Sequence, residues 1–481
     1  MVQDMKSSIL LLTTLFFFSC GPGNSSQGTG AASAPVAAPP PAWDNSLPKG
    51  KVTDSVICRS QNSNSYALYL PSYYSSGKKF PCIYFFDSHA RGALPVNEYK
   101  GVAEKYGFVL VGSNVSKNGT PWQVTNEGVK MLMEDTRTRI NIDPQRIYTS
   151  GFSGGSRVAS SVAIMDGGVA GVIGCAAGFP NVEQAPQSKF DYFGMVGDDD
   201  FNLIEMEQLD GALQQNGFSH QLLTFSGKHG WPSSSDFETA LLWIQVNAMK
   251  ENLQPKNDTL IAALKNDYDK RIKAAAASGD LIREHELLEG MIRVFDGLLN
   301  VSVSKKQLAE LDANTGYKNA IALQAQLQKE ELKQQQELAH QFTLMDDKWW
   351  KGTIAALNHK IHSAKTIQES QMDQRLLNYL GLVGYMNTSH ALNTDDLTNA
   401  ATYLKIFKMA DPGNSDCSYL AAVYYMKEGN PKQAIASLNE AAALGYSEVP
   451  LLVANPLFGS LQNDEGFKNA VDKVRRNNKE E

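Results

Sequence analysis

The chain is 481 residues long, 42% hydrophobic and 20% charged, with a formal net charge of −7. A length of this order suits roughly two to four domains, and that much apolar material excludes a chain disordered throughout. With 44 Lys and Arg against 51 Asp and Glu, and no Lys/Arg cluster, there is no electrostatic footprint for nucleic acid, which is not an expected partner.

At the N-terminus Lys6 precedes an apolar run from Ile9 to Phe18, followed by Ser19-Cys20-Gly21. This is the order of a targeting segment, and the run is too short to span a bilayer. Phe17-Phe18-Ser19-Cys20 resembles a bacterial lipobox, in which a small residue precedes the cysteine that becomes lipid-modified and N-terminal. The resemblance implies a lipoprotein signal peptide over 1–19, lipidation at Cys20, and a location in the cell envelope, anchored to a bacterial membrane and either periplasmic or surface-exposed. Simple secretion with cleavage near Gly21 is the alternative. Residues 20–43 are rich in Gly, Ser, Ala and Pro and carry too little apolar surface to fold, so they read as a flexible tether.

From Val52 the chain alternates strands and helices. The predicted strands are Val52–Cys58, Tyr66–Leu70, Cys82–Asp87, Phe108–Ser113, Ile147–Phe152, Val169–Cys175, Tyr192–Val196 and Gln221–Phe225. Helices are predicted over Val124–Ile140 and Ser156–Met165, and a capping-box pattern at Ser235–Glu238 predicts another with Phe237, Leu241, Ile244 and Ala248 on one face. Several strands are nearly continuous apolar runs, as in a parallel sheet covered on both faces. The fold class is therefore α/β over residues 44–252, with ligands at the carboxyl ends of the strands. Cys58, Cys82, Cys175 and Cys417 sit in apolar contexts without a Cys-x-x-Cys, so buried free thiols are expected; Cys58 and Cys82 are the one pair placed to meet on neighbouring strands.

Within this region Gly151-Phe152-Ser153-Gly154-Gly155 follows a strand and opens a helix. Gly-x-Ser-x-Gly at such a transition is a nucleophile elbow, with the serine in a tight turn beside free helical N–H groups. Further on, Asp198-Asp199-Asp200 follows the seventh strand and His229 follows the eighth. A serine hydroxyl needs an imidazole to take its proton, and the imidazole needs a carboxylate to fix its tautomer and stabilise its charged form. The order Ser, Asp, His, each on a loop after its own strand, suits that chemistry.

DPQRIYTSGFSGG at 143–155, GDDDFN at 197–202 and HGWP at 229–232 resemble the α/β-hydrolase esterases, in the branch of feruloyl esterases, acetylxylan esterases and polyhydroxyalkanoate depolymerases. The resemblance covers roughly residues 48–250. It implies a mostly parallel α/β-hydrolase sheet with flanking helices, catalysis by Ser153, Asp200 and His229, and no cofactor. Asp200 is selected because the triad acid of that branch follows a Gly by three positions. The oxyanion donors would be the Gly154 N–H and a main-chain N–H from Ser88 or His89, although FFDSHARG at 85–92 departs from the His-Gly pair usual there. Trp122 and Trp231 are candidate pocket walls. No His-Glu-x-x-His or comparable metal spacing occurs.

Past Asn252 strands disappear and Ala, Leu, Gln, Lys and Glu dominate, with a boundary expected near Pro255. Residues 253–481 read as an all-α domain. A helix is capped at Asp280, Gln324–Gln341 is the exposed face of a long helix, and 415–445 resembles a tetratricopeptide repeat preceded by a second helix at 399–412. Two functions from different classes follow. One is an exported, membrane-anchored serine hydrolase acting on small-molecule or polymer-linked esters through an acyl-enzyme, with the helical domain available to a protein partner. The other is a catalytically idle hydrolase-fold scaffold for the helical repeats. Serine peptidase activity is a third reading, because the same triad cleaves amides.

Overall fold

The computed structural model describes residues 43–480 apart from 62 and 181–188, so the signal segment, Cys20 and the tether up to residue 42 lie outside the described residues. Eight strands and five helices run in the order β1 (Val52–Ile57), β2 (Ser65–Tyr69), β3 (Phe80–Phe86), α1 (Ala93–Tyr106), β4 (Val109–Ser113), α2 (Trp122–Arg139), β5 (Ile142–Phe152), α3 (Gly154–Asp166), β6 (Gly171–Cys175), β7 (Asp191–Gly197), α4 (Leu203–Gln215), β8 (His220–Phe225) and α5 (Ser234–Lys250). They form one sheet of order β1-β2-β4-β3-β5-β6-β7-β8. β2 pairs antiparallel with both β1 and β4, and every pairing from β4 through β8 is parallel. This is the expected α/β-hydrolase arrangement.

The sheet is covered on both faces because its strands are apolar on both. In β3 every residue is buried, and successive side chains alternate between faces. Ile83 and Phe85 pack with α1 and α5, while Tyr84 and Phe86 pack with α2, α3 and α4. Pro144, which cannot donate to a ladder, falls where the pairing jumps from Phe80–Ile142 to Cys82–Ile147. The four cysteines among the described residues are buried free thiols, Cys58 and Cys82 included.

α5 starts earlier than the Ser235 pattern predicts. Ser233 is its cap, accepting the Asp236 N–H at 3.2 Å, while Glu238 turns away to accept from Lys105 Nζ at 2.7 Å and from the Tyr106 hydroxyl. A charged partner outside the helix thus takes the carboxylate that a capping box would use.

The C-terminal half is helical: α6 (Asp258–Ser278), α7 (Leu281–Phe295), α8 (Ser302–Ala313), α9 (Thr315–Gln341), α10 (Asp347–Ser363), α11 (Ile367–Asn393), α12 (Leu397–Ala410), α13 (Ser415–Lys427), α14 (Pro431–Ala443), α15 (Val449–Val453) and α16 (Glu465–Glu480). Asp280 caps α7 as expected, accepting the Arg283 N–H at 3.1 Å. α12, α13 and α14 fall where the repeat-like pattern places helices, with Ala400, Ala422, Ala434 and Leu438 in one shared cluster.

The expected division at 252 is a break between helices and not a break in packing. The described residues cluster as one compact unit. From Thr239 to Met249 every residue of α5 is buried, because one side lies on the sheet and the other beneath α6 and α7. Leu264 and Tyr268 of α6 and Met291 and Phe295 of α7 join Phe193 and Trp243 in a single core. Nor is the polar face of α9 wholly solvated. Gln324 and Gln328 donate to Glu207 of α4 at 2.9 and 2.6 Å, and Glu331 is fully buried.

Candidate active site

Ser153 sits between β5 and α3 with φ 55° and ψ −121°, a conformation that an L-residue adopts only under constraint. The constraint is visible on both sides. A Cβ at Gly151 would lie 2.1 Å from the Gly155 carbonyl oxygen, and one at Gly155 would lie 1.9 Å from that of Phe86. Only glycine permits strand, turn and helix to close this tightly. The Ser153 N–H is fixed on the neighbouring strand by the Cys175 carbonyl at 2.9 Å. Gly154 opens α3, so its N–H has no partner within the helix and stands at the positive end of the helix dipole.

Of the three acids after β7, Asp200 is the one that reaches His229. His229 Nδ1 lies 3.0 Å from both Oδ1 and Oδ2 of Asp200, whose side chain is fully buried. Asp200 Oδ1 also accepts the Asn202 N–H at 2.9 Å, which fixes the carboxylate. Asp198 turns to the loop after β8 and accepts the Gly227 N–H at 2.9 Å. The imidazole is sandwiched between Phe152, one residue before the nucleophile, at a ring separation of 4.7 Å, and Phe201 at 4.3 Å. Both hydrogen bonds of the ring are made by Nδ1. Among the described residues Nε2, the nitrogen that would take the serine proton, makes none, and no hydrogen bond joins Ser153 to His229. Contacts of this kind often tighten only when substrate binds.

No family model matches this chain, and no curated protein does. Solved structures are similar to part of it: a ferulic acid esterase at 17% identity, over 40% of this chain and 95% of its own, with a TM-score of 0.33. The S-formylglutathione hydrolase of Staphylococcus aureus is 12% identical over 41% of this chain and 98% of its own, with a TM-score of 0.35. Esterase B of Lactobacillus rhamnosis, inhibited by a tributyrin phosphonate, is 12% identical over 43% and 90%, with a TM-score of 0.36. Likeness at this level leaves the chemistry to the chain's own residues.

The loop after β3 does not present the His89 N–H as an oxyanion donor. That N–H donates to Asp87 Oδ1 at 2.8 Å, and the Ala90 N–H donates to the Asp87 carbonyl. Asp87 is buried, which raises its pKa, but the Arg91 guanidinium at 2.9 Å, with Trp231 Nε1 and the His89 N–H, outweighs burial and holds the carboxyl below its usual range. Burial foremost, and Arg91 next, lower the pKa of the His89 imidazole. Trp231 therefore packs and hydrogen-bonds beneath the site, while Trp122 is exposed at the start of α2. Among the described residues no group of His, Cys, Asp and Glu is placed to hold a metal.

Asn118, which the sequence did not single out, lies against Gly154, the residue after the nucleophile. Its side-chain Oδ1 is 1.8 Å from where a Cβ on Gly154 would be, so the carboxamide occupies the space that a larger residue after Ser153 would fill. Asn118 also lines a cleft of about 1060 Å³. Ser88, His89 and Arg91 form its sheet-side wall, and Tyr419 and Tyr446 of the helical region form the opposite one. The Tyr446 hydroxyl is buried there with no hydrogen-bond partner among the described residues. Arg91 Nε meets Glu448 at 3.2 Å across the cleft floor.

Proposed function

We propose that the chain is an exported serine hydrolase that cleaves carboxylic esters through a Ser153–His229–Asp200 triad. The observation that carries this reading is the buried Asp200 carboxylate bonded to His229 Nδ1 at the sheet edge where the strained elbow holds Ser153. In the acylation step Ser153 Oγ attacks the ester carbonyl carbon while His229 Nε2 takes its proton. The imidazolium, stabilised by Asp200, then gives that proton to the leaving alkoxide as the C–O bond breaks. Water repeats the sequence on the acyl-enzyme and regenerates Ser153. The developing oxyanion is met by the Gly154 N–H, at the positive end of the α3 dipole, while the His89 N–H is engaged by Asp87. Substrate, small or polymer-linked, enters through the cleft walled by Asn118 and Arg91. Cys20 carries lipid and anchors the protein in the cell envelope, and the repeat-like helices offer a surface to a protein partner.

A second reading, the catalytically idle scaffold, is favoured by the engaged His89 N–H and the unmade Ser153–His229 hydrogen bond. A fluorophosphonate probe separates the two, because an unactivated serine does not react with it measurably. The hydrolase reading requires covalent labelling that disappears in Ser153→Ala and falls steeply in His229→Ala, by about four orders of magnitude or more. A folded wild-type protein that neither labels nor releases chromophore from any activated aryl ester would leave the scaffold reading in its place.

A further inference from the structure

Helix α11 meets the loop after β7 at three closely spaced residues. Arg375 Nη1 donates to the Asp198 carbonyl at 2.8 Å, and Asn378 Nδ2 donates to the Asp199 carbonyl at 2.8 Å. The Tyr379 ring meets Phe201 edge-on at 6.4 Å, and Phe201 stacks on His229. Arg375 is itself held from behind: Nε and Nη2 bond Glu331 of α9 at 2.9 and 2.8 Å, with Glu331 fully buried and Arg375 nearly so. A bidentate guanidinium–carboxylate pair fixes the plane of both groups, which a lysine would not. The donors of α11 thus grip the two peptide units immediately before Asp200, and its aromatic ring supports the residue immediately after. The grip also has work to do, since three consecutive carboxylates repel one another. Burial foremost, and Asp198 next, raise the pKa of Asp199, with Arg375 opposing.

We infer that Arg375 and Asn378 are positioning residues for the catalytic acid, so that the helical region is part of the catalytic apparatus and not an appended module. The catalytic meaning of this inference rests on the serine-hydrolase reading, whereas the positioning itself does not. Two full-length variants test it: Asn378→Ala, and Arg375→Met combined with Glu331→Gln, which leaves no uncompensated buried charge. The first readout is the low-field proton resonance of His229 Nδ1–H bonded to Asp200, which needs no turnover. The second is the rate of fluorophosphonate labelling. In variants shown to be folded by near-UV circular dichroism, the resonance should shift or broaden and labelling should slow by about 10- to 100-fold, the scale of a small misplacement of a catalytic group. If the double variant does not fold, Asn378→Ala decides alone. An unchanged resonance in a folded variant overturns the inference, whatever the labelling rate. Should the wild type show the resonance and the variants lose it while none of them labels, the positioning stands and the hydrolase reading falls.

Discussion

Trp231 Nε1 donates a hydrogen bond to Asp87 Oδ2 at 3.0 Å, tying the loop that carries His229 to the loop after β3. The indole also packs on Phe85, Tyr99 and Phe152 at ring separations of 5.8–6.0 Å. Trp231→Phe keeps most of that packing and removes the donor to a buried carboxylate. The expected loss is about 1.5–3 kcal/mol of stability by urea denaturation, with a lower labelling rate at Ser153.

Asp87 gives that contact a pH dependence. Its pKa is depressed in the folded protein, so its contribution is present above the ordinary carboxylate range and lost as pH falls through the folded value. Denaturation curves recorded from neutral to acid pH should therefore converge for wild type and Asp87→Asn. Parallel curves would assign acid lability to another group.

The opposite sign applies where α4 meets α7 and α9. Burial foremost, with Glu286 nearby, pushes Glu207 up to about 8, and burial pushes Glu286 up to about 7. Each acid holds its proton more tightly folded than unfolded, so the stability it contributes is full below the ordinary carboxylate pKa and is lost as pH rises through about 7 to 8. Thermal melts should fall across that window, and Glu207→Gln should flatten the fall by on the order of 1–2 kcal/mol. A variant that melts in parallel with wild type up to about pH 9 would contradict this sign.

Ser153 holds its strained backbone at the expense of stability. Ser153→Gly should raise stability by about 1 kcal/mol, since only glycine is at ease at that φ and ψ, while abolishing labelling. An equal or lower melting temperature would mean that the elbow stores no strain.

A chain ending at residue 252 should lack fixed tertiary structure, because Leu264, Tyr268, Met291 and Phe295 are then missing from the core. Extending it through α7 should restore near-UV circular dichroism and a cooperative melt. A cooperative melt from the shorter chain would show that the sheet and α5 suffice.

On the proposed lipid anchor, Cys20→Ser should leave the protein in the soluble fraction, because the substitution removes the thiol that would carry the lipid. Retention in the membrane fraction would rule out the lipobox reading.

All eight strands were legible because β-branched and aromatic runs between turn residues have few alternatives, and the elbow because its glycines are sterically compelled. The limits have physical causes. The run Ala240–Met249, apolar but for Gln245 and Asn247, is a helix buried all round, whereas the stripe of Phe237, Leu241, Ile244 and Ala248 predicts one buried face and a core that ends at 252. Asp87-Ser88-His89 carried its own warning: an Asp side chain commonly takes the N–H two residues on, which is how the His89 donor is used. Arg375, Asn378 and Asn118 were out of reach. Each meets the site through tertiary packing alone, and on a helix with polar neighbours Arg375 looks like any solvated charge.

The shared core also sets a clock. β8 ends at Phe225, but Phe295 of α7, which closes the same core, is synthesised about 70 residues later, roughly 4–14 s at 5–20 residues per second. Until then the outer side of α5, where Thr239 bonds Asp267 of α6, has no cover, so the sheet cannot settle before α7 has been made.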